Sequence, residues 1–458
     1  MQHTSQPAPL PVVSPPTTPA QMSQQLQDQL GRFLHPLLSQ LDAQIDCRLA
    51  GTFLGTIAAL LQYRHRNHGL LLSELGGYLL PPEHAPAGTK RLSNLLRCSK
   101  WSATLIEKFL WHGAQVRPSQ LQAAGEEALL LWDESVLEKP ESLQLEGLCA
   151  VRSSKAKRLS RIKPGYYNPP GGRPVFVPGW QWITLLLMGR SGPPTVVAMR
   201  WWSTRGQNAT DARTVQTALL QECLITWGRQ VLHIFDRGYA GSPWLGQLIG
   251  HSLRFVVRWP KHYVLCDRQG REAKAWQLTR GQRSWEQRLV WDARRRCQRK
   301  MGVYALPVCH PHYEQPLWLV VSRPGRGQEP WYLLTSEPIT TAEDAWRLIF
   351  AYSRRWQIEM TFRYHKSELA LESPRLWKWE RRIKLLLMVT LAYAFLLQLL
   401  QWPEWCTWLL RHFCHRTGKR SREVSAPLYR LRTAISRLWL TCQSHPAQFA
   451  AAWIQTPG

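Results

Sequence analysis

Three carboxylates carry the most chemistry in this sequence. Asp133 follows the apolar run Ala128–Trp132 (ALLLW), and Asp236 follows a second run, Gln230–Phe235 (QVLHIF). Glu359 lies inside Tyr352–Lys366 (YSRRWQIEMTFRYHK), among basic and aromatic side chains. Three carboxylates brought to one place can hold two divalent cations about 3.5–4 Å apart, which clamp the attacking and leaving oxygens of an in-line phosphoryl displacement. Hard oxygen ligands suit Mg2+, with Mn2+ able to substitute. If the three do not converge, each has an ordinary reading. An Asp after a strand is a common turn residue, and Glu359 would make ion pairs on a solvated helix face.

The elements around these residues must bring them together. On a helix each residue advances the side chain by about 100°, so Tyr352, Arg355, Glu359 and Lys366 would share an arc of roughly 60°. Both apolar runs read as buried strands that deliver an Asp at the carboxyl end, where an open sheet presents its chemistry. Gln181–Met188 and Pro194–Trp201 read as an antiparallel pair around the turn Gly189–Pro193, and Asp211–Trp227 as a crossover helix. The interval from Asp236 to Glu359 is too long for a simple connection. Its strand-like runs Leu317–Val321 and Trp331–Leu334, with the basic cluster Arg294–Lys300, predict a β-rich insertion over 262–337.

The remaining regions follow from composition. Residues 1–20 would form a Pro-rich flexible lead-in, 21–120 a helical N-terminal region that could be DNA-binding, and 121–261 with 338–402 the core that carries the three carboxylates. Residues 403–458 form a helical, basic C-terminal region able to contact DNA or a second protomer. Within the N-terminal region Gly88–Arg97 (GTKRLSNLLR) would start a basic helix capped by a hydroxyl. It would either enter a DNA groove or present a basic face to solvent. The basic stretch Arg152–Lys163 is likewise either a DNA-contacting loop or a solvated connection.

The chain of 458 residues has 58 Lys and Arg against 31 Asp and Glu, a net charge of +27. Such a chain concentrates on a polyanion, duplex DNA first among them, with a ribosomal or anionic-membrane surface as the other options. A hydrophobic content of 44% with 24 Trp excludes a disordered basic protein. The ten Cys include no CxxC pair, and the loose groupings Cys297, Cys309, His310, His312 and Cys406, His412, Cys414, His415 lack zinc-finger spacing. No signal peptide is evident, which points to reduced thiols in a cytosolic setting. Leu385–Leu400 is short for a membrane span of about 20 residues and reads as a buried helix behind the site.

The order Asp, Asp, Glu on strand, strand and helix resembles the DDE transposases of bacterial insertion sequences. Tyr352, Arg355, Glu359 and Lys366 fill, without a gap, the Y-R-E-K signature of the insertion-sequence-four family. Trp331–Pro338 (WYLLTSEP) is similar to that family's Trp-bearing strand before the Glu helix, and Arg254–Arg258 (RFVVR) to the strand after the second Asp. The resemblance covers roughly residues 125–400. It implies an α/β fold, a ribonuclease H-like catalytic core interrupted by a β-rich insertion, with helical N-terminal and C-terminal regions. It implies Asp133, Asp236 and Glu359 as catalytic ligands of two Mg2+ ions.

The same resemblance places Tyr352, Arg355 and Lys366 on phosphates near the cleaved end, with Arg258 and Arg237 as weaker contacts. Trp331 would receive a flipped base, and Trp356 stands inside the signature beside it. The implied partners are double-stranded DNA, as transposon ends and target, and a second copy of the chain in a synaptic complex, with a hairpin intermediate and no membrane. The implied setting is the bacterial cytoplasm, on the nucleoid. Glu134 departs from the pattern, because many relatives carry Asp, Ser or Thr there. An inactive or host-adapted DNA-binding descendant and a ribonuclease H-like nuclease are the rivals. The intact triad argues against the first, and the Tyr352–Lys366 signature with Trp331 against the second.

Overall fold

The computed structural model describes residues 18–63, 69–142, 144–156, 175–292, 297–325, 328–414 and 427–442. Most of the Pro-rich lead-in, residues 157–163 of the basic stretch after β2, residues 294–296 of the cluster Arg294–Lys300 and most of the basic tail lie outside the described residues. Two compact units form, one from Met1–Trp101 with Ala392–Gly458 and one from Ser102–Leu391. The units part at 101/102 and 391/392, whereas the regions expected from sequence part at 120/121 and 402/403.

The first unit is helical. It contains α1 (Pro19–Asp42), α2 (Cys47–Gln62), α3 (Leu72–Leu79) and α4 (Ala85–Arg97), the last two joined through a short 3-10 turn at Pro82–His84. Thr18 and Gln21 close a capping box on α1, which fixes where that helix begins. The helix α2 is buried continuously from Ala50 to Gln62, so it is the centre of this unit. The expected hydroxyl cap at Thr89 is not one. The helix begins at Ala85, and Thr89 sits inside it, donating to Ala85 O at 2.9 Å and to Leu72 O at 3.3 Å. Its neighbour Gly88 is where α4 crosses α3, since a Cβ there would run into Gly76 O.

In the second unit α5 (Thr104–Gln115) and α6 (Arg117–Ala123) lead into β1 (Ala128–Glu138). Its first half is apolar at every position because both faces are covered, as in strands with a parallel neighbour. That neighbour is β5 (Val231–Phe235), with Leu129 opposite Leu232 and Leu131 opposite Ile234. On the other side β1 runs antiparallel to β3 (Phe176–Met188), which pairs with β2 (Cys149–Arg152) and β4 (Thr195–Trp202). The strand β6 (Phe255–Arg258) continues parallel to β5. The connections are helical, α7 (Ala212–Trp227), capped by Asp211, before β5 and α8 (Ser242–Gly250) before β6.

The segment expected as an insertion continues the same sheet. Its hairpin of β7 (Val264–Cys266) and β8 (Glu272–Lys274) leads through α9 (Ala275–Leu278) to β9 (Glu286–Asp292), β10 (Cys297–His310) and β11 (Tyr313–Arg323). The chain then returns as β12 (Tyr332–Thr335) against β6, which completes a 12-stranded sheet.

Strand alternation sorts the side chains of β1 to two faces. Leu130 and Trp132 pack with Leu185, Leu220, Phe235, Trp244 and Leu248, so α7 and α8 cover that face. Leu129, Leu131 and Asp133 point the other way. Thr184, opposite Asp133, is itself opposite Met199, and Met199 Sδ accepts a hydrogen bond from Thr390 at 3.1 Å. Thr390 belongs to α12 (Trp379–Leu399), which follows α10 (Ala342–Ser353) and α11 (Trp356–Ser367). By length and composition α12 could cross a membrane, yet 89% of that stretch is buried inside the protein, as in a core helix. The last helices, α13 (Pro403–Phe413) and α14 (Pro427–Thr441), belong to the first unit, where Ser436 Oγ donates to Gln62 O at 2.6 Å.

Gly88→Ala tests the backbone crossing in the first unit. Ala favours a helix by up to about 1 kcal/mol over Gly, but here its methyl group would collide with a carbonyl oxygen that cannot swing away. The clash should win, with a net loss of roughly 1–3 kcal/mol in urea unfolding.

Candidate active site

Asp133 does not end its strand, as the apolar run suggested. It lies inside β1 because β3 runs on beside it, pairing Asp133 with Thr184 and continuing to Glu138 opposite Gly179. It nevertheless lies level with the end of β5, whose next residue is Asp236. Alternation along the two parallel strands turns both carboxylates to one face. Asp236 caps the 3-10 turn Arg237–Tyr239, its Oδ1 accepting from Gly238 N at 2.7 Å.

Asp133 Oδ1 accepts from Glu134 N at 2.8 Å, and Oδ2 from Arg355 Nη1 at 3.0 Å. The other guanidinium nitrogen of Arg355, Nη2, pairs with Glu359 Oε1. One cation therefore links the first acid to the third. Burial, and then the charge of Asp236, push Asp133 up to about 7, with Glu359 adding to the rise against Arg355 and the Glu134 N–H. Burial would lower Arg355, but Tyr352, Asp133 and Glu359 outweigh it and its pKa rises.

The single helix expected over Tyr352–Lys366 is two. Tyr352 lies in the last turn of α10, Glu359 and Lys366 belong to α11, and Arg354 and Arg355 form the junction. Bonds of i to i+3 type run through it: Arg354 N to Ala351 O at 3.2 Å, Arg355 N to Tyr352 O at 3.0 Å and Gln357 N to Arg354 O at 2.9 Å. This tightening breaks the uniform advance of about 100° per residue on which the common arc rested. The two arginines then part. Arg355 turns to the acids, and Arg354 Nη2 donates to Gly192 O in the β3–β4 turn at 2.6 Å.

The first helix of the pair is anchored by a charge network. Arg254 donates to Glu337 (2.9 and 2.6 Å) and to Glu127 (2.5 Å). Arg347 of α10 donates to the same Glu127 at 2.7 Å and the same Glu337 at 3.2 Å. Two arginines share two carboxylates from the starts of β1 and β6, the end of β12 and the body of α10.

Three other expected residues, Trp331, Tyr352 and Arg258, form a second line of contacts, and Lys366 makes separate ones. Trp331, just before β12, meets the Tyr352 ring edge-on at 5.2 Å, and the Arg258 guanidinium lies 5.9 Å from its ring centre. Arg355 lies 6.0 Å from the centre of the Tyr352 ring. Tyr352 is buried, and burial raises its phenol against the opposing charges of Arg355 and Arg258. Lys366 Nζ donates to Ser135 Oγ at 2.9 Å and lies 5.8 Å from the Trp182 ring. Burial lowers Lys366, while Glu372 and Glu138 oppose the shift. Arg237 and Trp356 stand outside this line of contacts, both exposed.

Two neighbours of the site make contacts that the sequence does not assign; for Glu134 it offers only a neutral variation or a competitor for metal. Glu134 faces away from Asp133, and its Oε1 accepts from Gln216 Nε2 of α7 and, at 3.4 Å, from the Tyr239 hydroxyl. It thus ties β1 to the turn that carries Asp236, and burial raises its pKa. Ser135, which holds Lys366, lies two residues past Asp133, so strand alternation would have found it had the strand been read past Trp132.

Among the described residues no three His, Cys, Asp or Glu side chains stand close enough to share one ion. The donor set still fits a hard divalent cation. Asp133 and Asp236 offer oxygen donors on one face of adjacent strands, and their mutual repulsion, which contributes to the raised Asp133, is what a cation would relieve.

Residues 189–395 match the family described as Transposase DDE domain. The matched span holds Asp236, Trp331, Glu359 and all of Tyr352–Lys366, and begins past Asp133. No curated protein matches this sequence. Among solved structures, a cryo-EM structure of the piggyBac transposase synaptic complex with hairpin DNA aligns over 96% of this chain and 82% of that one, at 12% identity and a TM-score of 0.42. So loose a likeness carries no argument about the chemistry.

Asp133 should make the stability of the metal-free protein depend on pH. Its folded value lies above the usual 3.8, so the native state keeps the proton over a range where the unfolded chain has lost it. That stabilisation is full below about 3.8 and is lost as pH rises through about 7. In chelator-treated protein, Asp133→Asn should therefore lose about 1–3 kcal/mol less than wild type between pH 4 and pH 8. Parallel pH profiles in thermal unfolding would remove the basis for the raised value.

Proposed function

We propose that this chain is a DNA transposase of the insertion-sequence-four type, cutting transposon ends and joining them to target DNA. The observation that carries the reading is the convergence of Asp133 and Asp236 on one face of adjacent strands, with Glu359 joined to Asp133 through Arg355. The Transposase DDE domain match over Asp236 and Glu359 supports it. The strand order β4-β3-β1-β5-β6, with β1, β5 and β6 parallel and β3 antiparallel, supports a ribonuclease H-like core.

Asp133, Asp236 and Glu359 would hold Mg2+ or Mn2+, two ions per site, and these supply activation of the attacking oxygen and neutralisation of charge at the phosphorus. The chain's own residues do the rest. Arg355 presents a planar fork suited to a phosphate, and Lys366 a point charge on the same wall. Trp331, backed by Tyr352 and flanked by Arg258, offers a ring on which an unpaired base can stack. Such stacking is worth about 1–3 kcal/mol and offsets the cost of flipping the base out. Synapsis of two ends by two copies of the chain, a hairpin intermediate and a nucleoid location in the bacterial cytoplasm belong to the same proposal.

The first unit supplies a candidate duplex-binding element. The helix α4 follows α3 after a short turn and exposes Lys90, Arg91, Asn94 and Arg97. Helices so placed read the major groove in other DNA-binding proteins.

Two measurements test the proposal with the inverted repeats that flank the reading frame as probe. Asp236→Ala and Glu359→Ala should reduce Mg2+-dependent nicking and hairpin formation to background while end binding persists; full cleavage by either variant would sink the assignment. Lys90→Ala and Arg97→Ala should each weaken binding and lower the slope of log affinity against log salt by about 0.9 for every phosphate no longer neutralised. Unchanged slopes would remove α4 from the interface.

A further inference from the structure

Outside the acidic site, one pair of nucleophilic side chains is placed face to face by the sheet. Cys266 ends β7 and Cys309 lies in β10, and the two are direct partners in the antiparallel ladder. This one register pair is how β7, and through it β8, joins the sheet. Directly opposed residues of antiparallel strands have Cα atoms about 4.5–5.5 Å apart. A disulfide spans Cα separations of about 4.4–6.8 Å, so register partners of this kind have Cα atoms within its reach. Of the described cysteines, no other two are ladder partners.

The two thiols differ in a useful way. Cys309 is half-exposed, whereas Cys266 is buried. Burial raises the Cys266 thiol, and its hydrogen bond to Cys309 and the nearby Glu272 and Asp267 raise it further. Cys266 thus keeps its proton and lies against the sulfur of its partner. Asp267 is itself held by Arg271 N at 3.0 Å and Arg271 Nε at 2.8 Å, so the hairpin turn is already closed beside the pair.

We propose that Cys266 and Cys309 form a reversible disulfide, with a peroxide as oxidant. Cys309, which reaches solvent, takes one oxygen from hydrogen peroxide to give a sulfenic acid and one water. The sulfur of Cys266 then attacks the Cys309 sulfur. Hydroxide leaves, takes the Cys266 proton and departs as a second water. Two thiols lose two electrons and two protons, and the peroxide becomes two waters. The bond staples the hairpin of β7 and β8, and the α9 turn after it, to β10 at their sole register pair. A thiol reductant reverses the step. Transient disulfides of this kind are the ones expected in a reducing compartment.

The test uses the full-length chain, reduced, freed of reductant and treated with equimolar hydrogen peroxide. Free thiols are then alkylated with N-ethylmaleimide, and the chain is digested with trypsin under non-reducing conditions. Mass spectrometry should find the peptide His262–Arg268 joined to the peptide beginning at Met301, lighter than their sum by two hydrogens. Dithiothreitol should release both. In Cys266→Ser, Cys309 should instead accumulate as a sulfenic acid trapped by dimedone. Complete alkylation of Cys266 after oxidation, or Cys309 joined to any other cysteine, would overturn the proposal. The wild-type digest decides the matter even if the variant fails to fold.

Discussion

An ionisable carboxylate built into the middle of β1, on a face roofed by helices, is the constraint from which the site follows. Asp133 is desolvated, and its nearest charged neighbour on the sheet carries the same sign. A lone buried charge of this kind costs several kcal/mol unless it is paired. The strand offers only one N–H, from Glu134. The remaining compensation has to arrive from outside the sheet, and it arrives as Arg355. The junction keeps Arg355 within reach of the Tyr352 ring and of Glu359 and sets its guanidinium between two acids. The network of Arg254 and Arg347 with Glu127 and Glu337 then fixes α10 to the starts of two strands, so the junction has a firm base.

Much of this was legible in the residues, and the misses have particular causes. The two apolar runs ending in Asp133 and Asp236 announced strands because continuous Leu, Val and Ile suit strands covered on both faces. Where such a strand stops is a different question. The end of β1 depends on how long β3 runs beside it, a pairing far away in sequence that no local pattern contains. Ser135 was missed for the same reason. The arc drawn through Tyr352, Arg355, Glu359 and Lys366 assumed one regular helix, whereas the chain tightens at Arg354 and Arg355, where Arg355 pairs with a residue more than two hundred positions earlier. Thr89 has the composition of a cap. It lies inside α4 because the preceding Pro-rich turn starts the helix sooner and because Leu72 O offers its hydroxyl a second acceptor.

The spaced signature around Glu359 also acquires physical content. Its tyrosine is buried under the tryptophan that precedes β12, so it acts on that ring more than on solvent. Its lysine is parked on Ser135 of the strand that carries Asp133. The long segment between Asp236 and Glu359 is not a detached module, because β12 closes back on β6 and makes its strands neighbours of the core strands in one ladder. That closure carries Trp331 to Tyr352.

The neighbouring arginines at 354 and 355 have a mechanical consequence. One is fastened to the turn between β3 and β4, the other to the acid in β1, and α11 grows directly out of the pair. The rotational phase of α11, and with it the headings of Glu359 and Lys366, is therefore set like a screw started in a fixed thread. A shift of the β3–β4 turn would be converted into rotation of α11, so a loop with no chemistry of its own can steer the site's third acid.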